Sequence, residues 1–140
     1  MIVLDTNVVS EITKANLSPN VGEWFERQEM ETLYLCSPVL MELSYGAEKV
    51  LLRDRSKRFF EGLDSLMGHH FMGRILQLDQ DSARLTGRIR ARRERSGHQI
   101  SVQDAMIAAI CLANGATLAT RNTKDFEGLD LKLVNPFEGG

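Results

Sequence analysis

MIVLDTN, residues 1–7, is the stretch on which the fold turns. Ile2, Val3 and Leu4 form a short apolar run of the kind that makes a buried strand. The run ends on Asp5, a residue that strands avoid. A carboxylate at a strand tip is either a turn former or a chemical group carried on a rigid element. The remainder of the chain has to choose between the two.

Strand and helix signals alternate outward from this point. Residues 7–13 read as a short helix, interrupted by KANLSPN (14–20). Asn20 is placed to cap a second helix, in which Val21, Trp24 and Phe25 share one face. TLYLC (32–36) is a second strand. Ser37-Pro38 supplies a cap and a proline at the first helical position, starting a helix to about residue 49. Residues 51–66 form a further helix with Phe59, Phe60, Leu63 and Leu66 as its stripe, and GHHFMG (68–73) breaks it. RILQL (74–78) is strand three; Asp79 or Asp81 then caps a long helix to about Ser96, stopped by Gly97. Ser101 opens the next helix and Asn114-Gly115 closes it. ATLAT (116–120) and LKLV (131–134) complete five strands. Strands separated by helices pair in parallel, in a sheet covered by helices on both faces. The expectation is one α/β domain over residues 1–140, with no repeat and no linker. In such sheets the ligand crevice lies beyond the carboxyl ends of the strands, where Asp5 stands.

Composition agrees with this class. The chain has 140 residues, 43% hydrophobic and 26% charged, enough for one self-sufficient core. No apolar run approaches the ~18 residues of a membrane span. No basic region precedes an apolar stretch at the N-terminus, so a signal peptide is not expected and the cytoplasm is. Cys36 and Cys111 read as reduced, buried thiols, and no CxxC or HxxxH spacing supports a zinc site. The formal net charge is −2, but the signs are segregated. Arginines 84, 88, 90, 92, 93 and 95 are joined by a single acid, Glu94. Arg84, Arg88, Arg92 and Arg95 follow helical spacing on one side, either a solvated face or a track for phosphates. His69 and His70 read as surface histidines in a breaker loop.

Three further acids stand out. Asp104 lies in SVQDAMIAAICLANG (101–115), a helix apolar nearly all round apart from Gln103 and Asp104. Ser101 and Asp104 resemble a capping box, which explains the acid without chemistry. Beside Asp5 a second role appears, since both acids can face one crevice. Glu42 sits among Val39, Leu40, Met41 and Leu43, either facing solvent or serving as a ligand. TRNTKDF (120–126) puts Asn122 and Asp125 in a strand-end loop, where Asp125 also suits a turn. If such acids converge within ~4–5 Å, each like-charge pair costs on the order of 3–4 kcal/mol. Either some are protonated or a divalent cation neutralises them. Oxygen ligands without nearby His or Cys select a hard ion, Mg²⁺ or Mn²⁺.

MIVLDTNVVSEI (1–12), SPVLMELSYG (37–46), SVQDAMIAAICLANGATLATRNTKDF (101–126) and LVNPF (133–137) together resemble the PIN-domain family, of the VapC toxin type and close to its FitB-like branch. The resemblance spans essentially the whole chain and implies a five-stranded parallel sheet with an acidic Mg²⁺ or Mn²⁺ site. It implies a single-strand-directed ribonuclease, with Asp5, Glu42 and Asp104 at the family's acidic positions and Asp5 and Asp104 on the metal. Some relatives carry the fourth acid where Asn122 stands; here Asp125 is favoured for that place, with Asn122 as a polar assistant. Thr6 and Thr120 are supporting donors, and Arg121 is placed to orient a phosphate. The family further implies a homodimer, a cognate VapB- or FitA-like antitoxin that blocks the site, and DNA contact only through that partner. Two alternatives remain. Asn122 in place of an acid suits a degenerate PIN domain that only binds RNA or protein. An aspartate-based phosphatase also puts Asp at a strand end, but it wants a second acid where Asn7 stands.

Overall fold

The computed structural model describes residues 1–139. The elements run β1 (Ile2–Leu4), α1 (Thr6–Ile12), α2 (Pro19–Glu26), β2 (Leu33–Cys36), α3 (Ser37–Asp54), α4 (Arg58–Ser65), β3 (Ile75–Leu76), α5 (Gln80–Arg95), α6 (Val102–Asn114), β4 (Thr117–Ala119) and β5 (Leu133–Val134). The five strands form one sheet in the order β3-β2-β1-β4-β5. Every pairing is parallel. MIVLDTN therefore supplies the central strand. Val3 and Leu4 point to opposite faces of the sheet and both are 0% exposed, so helices cover both faces. Leu118 and Ala119 repeat the pattern one strand over.

The buried helix α6 explains how a small chain achieves this. Ala105, Ile107, Ala108, Ala109, Ile110 and Cys111 are all fully buried. Three of these six are alanines, small enough to bring a helix close to its neighbours. Both ends are set by the expected caps. The Ser101 hydroxyl accepts the Asp104 N–H, and Gly115 takes φ 62°, the left-handed C-cap. Among the described residues no helix is long and apolar enough to cross a membrane.

Several boundaries differ from expectation. α3 does not stop near residue 49 but continues to Asp54, and the next helix starts at Arg58. Val50 to Asp54 contain no breaker; the stop is Arg55 at φ 57°, which no glycine announces. Cys36, not Ser37, is the cap of α3, and the Ser37 hydroxyl instead accepts the Leu78 N–H. α2 begins at Pro19, which frees the Asn20 amide to donate to the Phe137 carbonyl. Asp79, rather than Asp81, caps α5. The GHHFMG breaker is a wide turn closed by the Phe71 N–H on the Leu66 carbonyl, and Phe71 itself is core.

Candidate active site

The register of the two central strands makes the floor of the site. Leu4 pairs with Ala119, so Asp5 and Thr120 follow side by side at the carboxyl ends of β1 and β4. The Asp5 N–H still donates to the Ala119 carbonyl at 2.9 Å. This is where strand order reverses direction from the central strand, the usual place for a crevice. Asp5 is only 5% exposed. Its Oδ1 accepts the Thr6 N–H at 2.8 Å, and its Oδ2 accepts the Thr120 hydroxyl at 2.7 Å. The Asn7 amide adds a longer bond to Oδ2 at 3.4 Å. Burial pushes the Asp5 pKa up; Thr120 and Thr6 oppose that, and Glu42 reinforces it. Asp5 thus caps α1 and also presents a carboxylate, held at a rigid strand end, to the cleft.

Thr120 is fully buried and serves as a hub. Its hydroxyl donates to Asp5 and accepts from the Asn122 N–H at 3.1 Å and the Asn7 amide at 3.5 Å. Asn7 in turn accepts the Arg121 N–H at 3.1 Å. The network stitches the start of α1 to the loop after β4. Thr120→Val removes one hydrogen bond from each of Asp5 Oδ2, the Asn7 amide and the Asn122 N–H, leaving the last without a partner among the described residues. The expected loss is about 1–3 kcal/mol of stability, with the Asp5 pKa rising further. Urea unfolding checks it, and an unchanged midpoint would contradict the assignment.

Asp104 enters from the first turn of α6, half-buried. Its pKa is pushed up to about 6, first by burial, then by the charge of Asp5, with smaller contributions from Asp125 and Glu42; Ser101 acts in the opposite sense. Glu42 projects from α3. Its Oε2 accepts the Thr6 hydroxyl at 2.8 Å and the Gln103 amide at 3.0 Å. Asp5, Glu42, Asp104 and Asn122 thus face one open cleft of about 360 Å³, completed by Thr6, Asn7, Ser101 and Gln103.

The other expected residues lie outside this lining. Asp125 is exposed on the short turn Thr123–Phe126, where its carbonyl accepts the Arg93 guanidinium at 2.5 Å. Only its charge reaches Asp104. Arg84, Arg88 and Arg92 are exposed along α5. The Arg121 guanidinium lies over the Phe137 ring, 3.8 Å from its centroid. Gln103, Asn7 and Ser101 line the cleft without having been assigned to it from the sequence, where Ser101 read only as a helix cap. The available signal for Gln103 was a second polar residue on an apolar helix.

The lining suits a hard cation. Every side chain on the cleft offers oxygen, and none offers an imidazole or thiolate. Burial first, and then the charge of Asp5, holds the Asp104 carboxyl up, and a cation beside it would act in the opposite sense. The acids are spread more widely than the tight convergence considered from the sequence. Among the described residues, no three His, Cys, Asp or Glu side chains stand close enough to cage an ion. A three-acid cage is not what Mg²⁺ requires, since it keeps several of its waters and takes one or two carboxylates.

Beside the cleft, and sharing Thr6 and Glu42 with it, opens an apolar groove of about 700 Å³ between α1, α3 and α4. Val9, Leu43, Ala47, Val50, Phe59 and Leu63 line it.

The PIN domain family model matches residues 2–131. The chain is 38% identical to the VapC ribonuclease Y4jK of Sinorhizobium fredii, over 99% of both chains. It is 32% identical to the toxin FitB of Neisseria gonorrhoeae, over 98% of this chain and 99% of that one. The crystal structure of FitAcB from Neisseria gonorrhoeae superposes with a TM-score of 0.85 at 30% identity, covering 99% of each chain.

Proposed function

The chain belongs to the PIN-domain family, and on that premise we propose that it is the toxin of a type II toxin–antitoxin pair, a Mg²⁺- or Mn²⁺-dependent endoribonuclease. The observation that carries the reading is the meeting of Asp5, Glu42 and Asp104, from three separate elements, at one oxygen-lined cleft. The kinship with a VapC ribonuclease and a FitB toxin supports RNA as the substrate and toxicity as the role.

In this reading Asp5 and Asp104 hold the ion, Glu42 orients it and its water, and Asp125 adds charge from the rim. A hard divalent cation, when bound, would make a coordinated water more acidic than bulk water and would compensate charge on the scissile phosphodiester. Thr6 and Thr120 keep their acceptors fixed, so the carboxylates need not reorganise. Asn122 offers a neutral amide to the cleft, a donor for a phosphate oxygen. Arg84, Arg88, Arg92 and Arg121 bring RNA in by its backbone, which predicts a salt-sensitive KM. The apolar groove and the exposed Tyr45 and Leu52 support protein contacts: an antitoxin segment over the site and a homodimer. DNA contact would come through the antitoxin.

Purified chain incubated with single-stranded RNA tests this. Cleavage is expected with Mg²⁺ or Mn²⁺ and none in EDTA. Activity undiminished by chelation would remove the metal mechanism. Asn122 on the cleft, where some relatives carry an acid, favours one other reading, a degenerate domain that binds RNA without cutting it. Calorimetry with Mn²⁺ separates the two, since a degenerate site gives no heat.

A further inference from the structure

Glu42 stands on the exposed side of α3, where a glutamate normally samples many rotamers. Here its Oε2 receives two hydrogen bonds from two other elements. The Thr6 hydroxyl approaches from α1 at 2.8 Å, and the Gln103 amide approaches from α6 at 3.0 Å. The same Gln103 nitrogen donates to the Pro38 carbonyl in the first turn of α3 at 2.7 Å. An amide has two N–H donors, and both are used. Among the described residues, Glu42 Oε1 receives none.

We propose that Gln103 is a positioning residue that pins Glu42 Oε2 to the start of α3 and leaves Oε1 as the oxygen offered to the cation and its water. This rests on the nuclease reading above. Gln103 directly precedes Asp104 on α6. One side chain therefore sets the separation between the acid of α3 and the acid of α6. The amide suits the task chemically. It donates without neutralising the carboxylate, as a lysine would, and without adding a further negative charge, as a glutamate would.

The test is a Mn²⁺ titration by calorimetry, with cleavage kinetics, on Gln103→Met and Gln103→Glu, each in the wild-type chain and with Glu42→Ala. Gln103→Met keeps the length and removes the donors. It is expected to weaken Mn²⁺ binding about tenfold and to lower kcat by about as much, with KM for RNA unchanged. Gln103→Glu should lose more. Neither should weaken Mn²⁺ further once Glu42 is alanine. In the intact protein, the Gln103 side-chain amide resonance should move on Glu42→Ala. An equal loss of Mn²⁺ affinity with and without Glu42, no loss at all, or an unmoved amide resonance overturns the assignment. A wild-type chain that neither binds Mn²⁺ nor cuts RNA overturns the nuclease reading itself, and this inference with it.

Discussion

Asp5→Asn and Asp104→Asn are each expected to lower RNA cleavage by about 10³-fold or more while leaving the chain folded. The two replacements share an outcome for activity and differ for stability. An amide is a poor ligand for a hard cation, so either change removes one of the two carboxylates proposed to hold it. Asp5→Asn also disturbs a local network. Its Oδ2 accepts from Thr120 and Asn7, and an NH₂ group there faces donors. The lost bonds are worth about 1 kcal/mol each, offset by no longer burying a charge. At Asp104 the only such partner among the described residues is the Ser101 hydroxyl. The Asp104 carboxylate sits near Asp5, Asp125 and Glu42, and their repulsion disappears with the charge. Without metal near pH 7.5, Asp104→Asn should therefore melt above the wild type. Retained cleavage in either variant, with the fold intact by circular dichroism, would contradict the roles given to these acids.

The second large effect is a dependence of stability on pH that metal reverses. Asp104 titrates at about 6 in the folded chain, above its ordinary 3.8. Asp5 is displaced in the same direction. A carboxyl raised by folding prefers to be neutral there. The metal-free protein is then most stable below the unfolded pKa, and it loses stability as pH rises through the folded value. For Asp104, half-buried and partly screened by water, the loss is on the order of 1 kcal/mol. That is roughly 2–4 °C in melting temperature for a chain of this size. Mn²⁺ is expected to bind the ionised form. At about one hundred times its dissociation constant it should add about 2.7 kcal/mol near pH 7.5, and much less near pH 5. Thermal melts at both pH values, with EDTA and with Mn²⁺, measure it. A metal-free protein that gains stability between those values, or a Mn²⁺ shift of equal size at both, would contradict the account.

Much of this arrangement was legible in the residues. A strand that buries both faces and ends on an acid shows itself in Ile2 to Asp5. A buried helix with both caps shows itself in Ser101 to Gly115. These signals are local, and periodicity and turn chemistry read them directly. Other features depend on contacts across the sequence. The Asn7 amide reaches Thr120 across a separation of 113 residues, through a strand register that no local pattern encodes. Gln103 looked like an interruption of an apolar helix, because its two acceptors lie on α3. Asn122 and Asp125 share one loop, and the sequence favoured the acid. Asn122 lines the cleft, and Asp125, in the turn Thr123–Phe126, is not part of that lining. Residues 50–54 show the limit in the other direction. Nothing in them stops a helix, and the stop came from a left-handed Arg55 with no glycine to mark it.

The acids just beyond β1, on α3 and on α6 are expected to serve one hard cation. Anomalous diffraction from crystals grown with Mn²⁺ tests it without reference to any substrate. The expected result is a peak within bonding distance of the Asp5 and Asp104 carboxylates, lost in Asp104→Asn. A cleft with no peak at saturating Mn²⁺, or an ion bound elsewhere with Asp5 and Asp104 uninvolved, would contradict it.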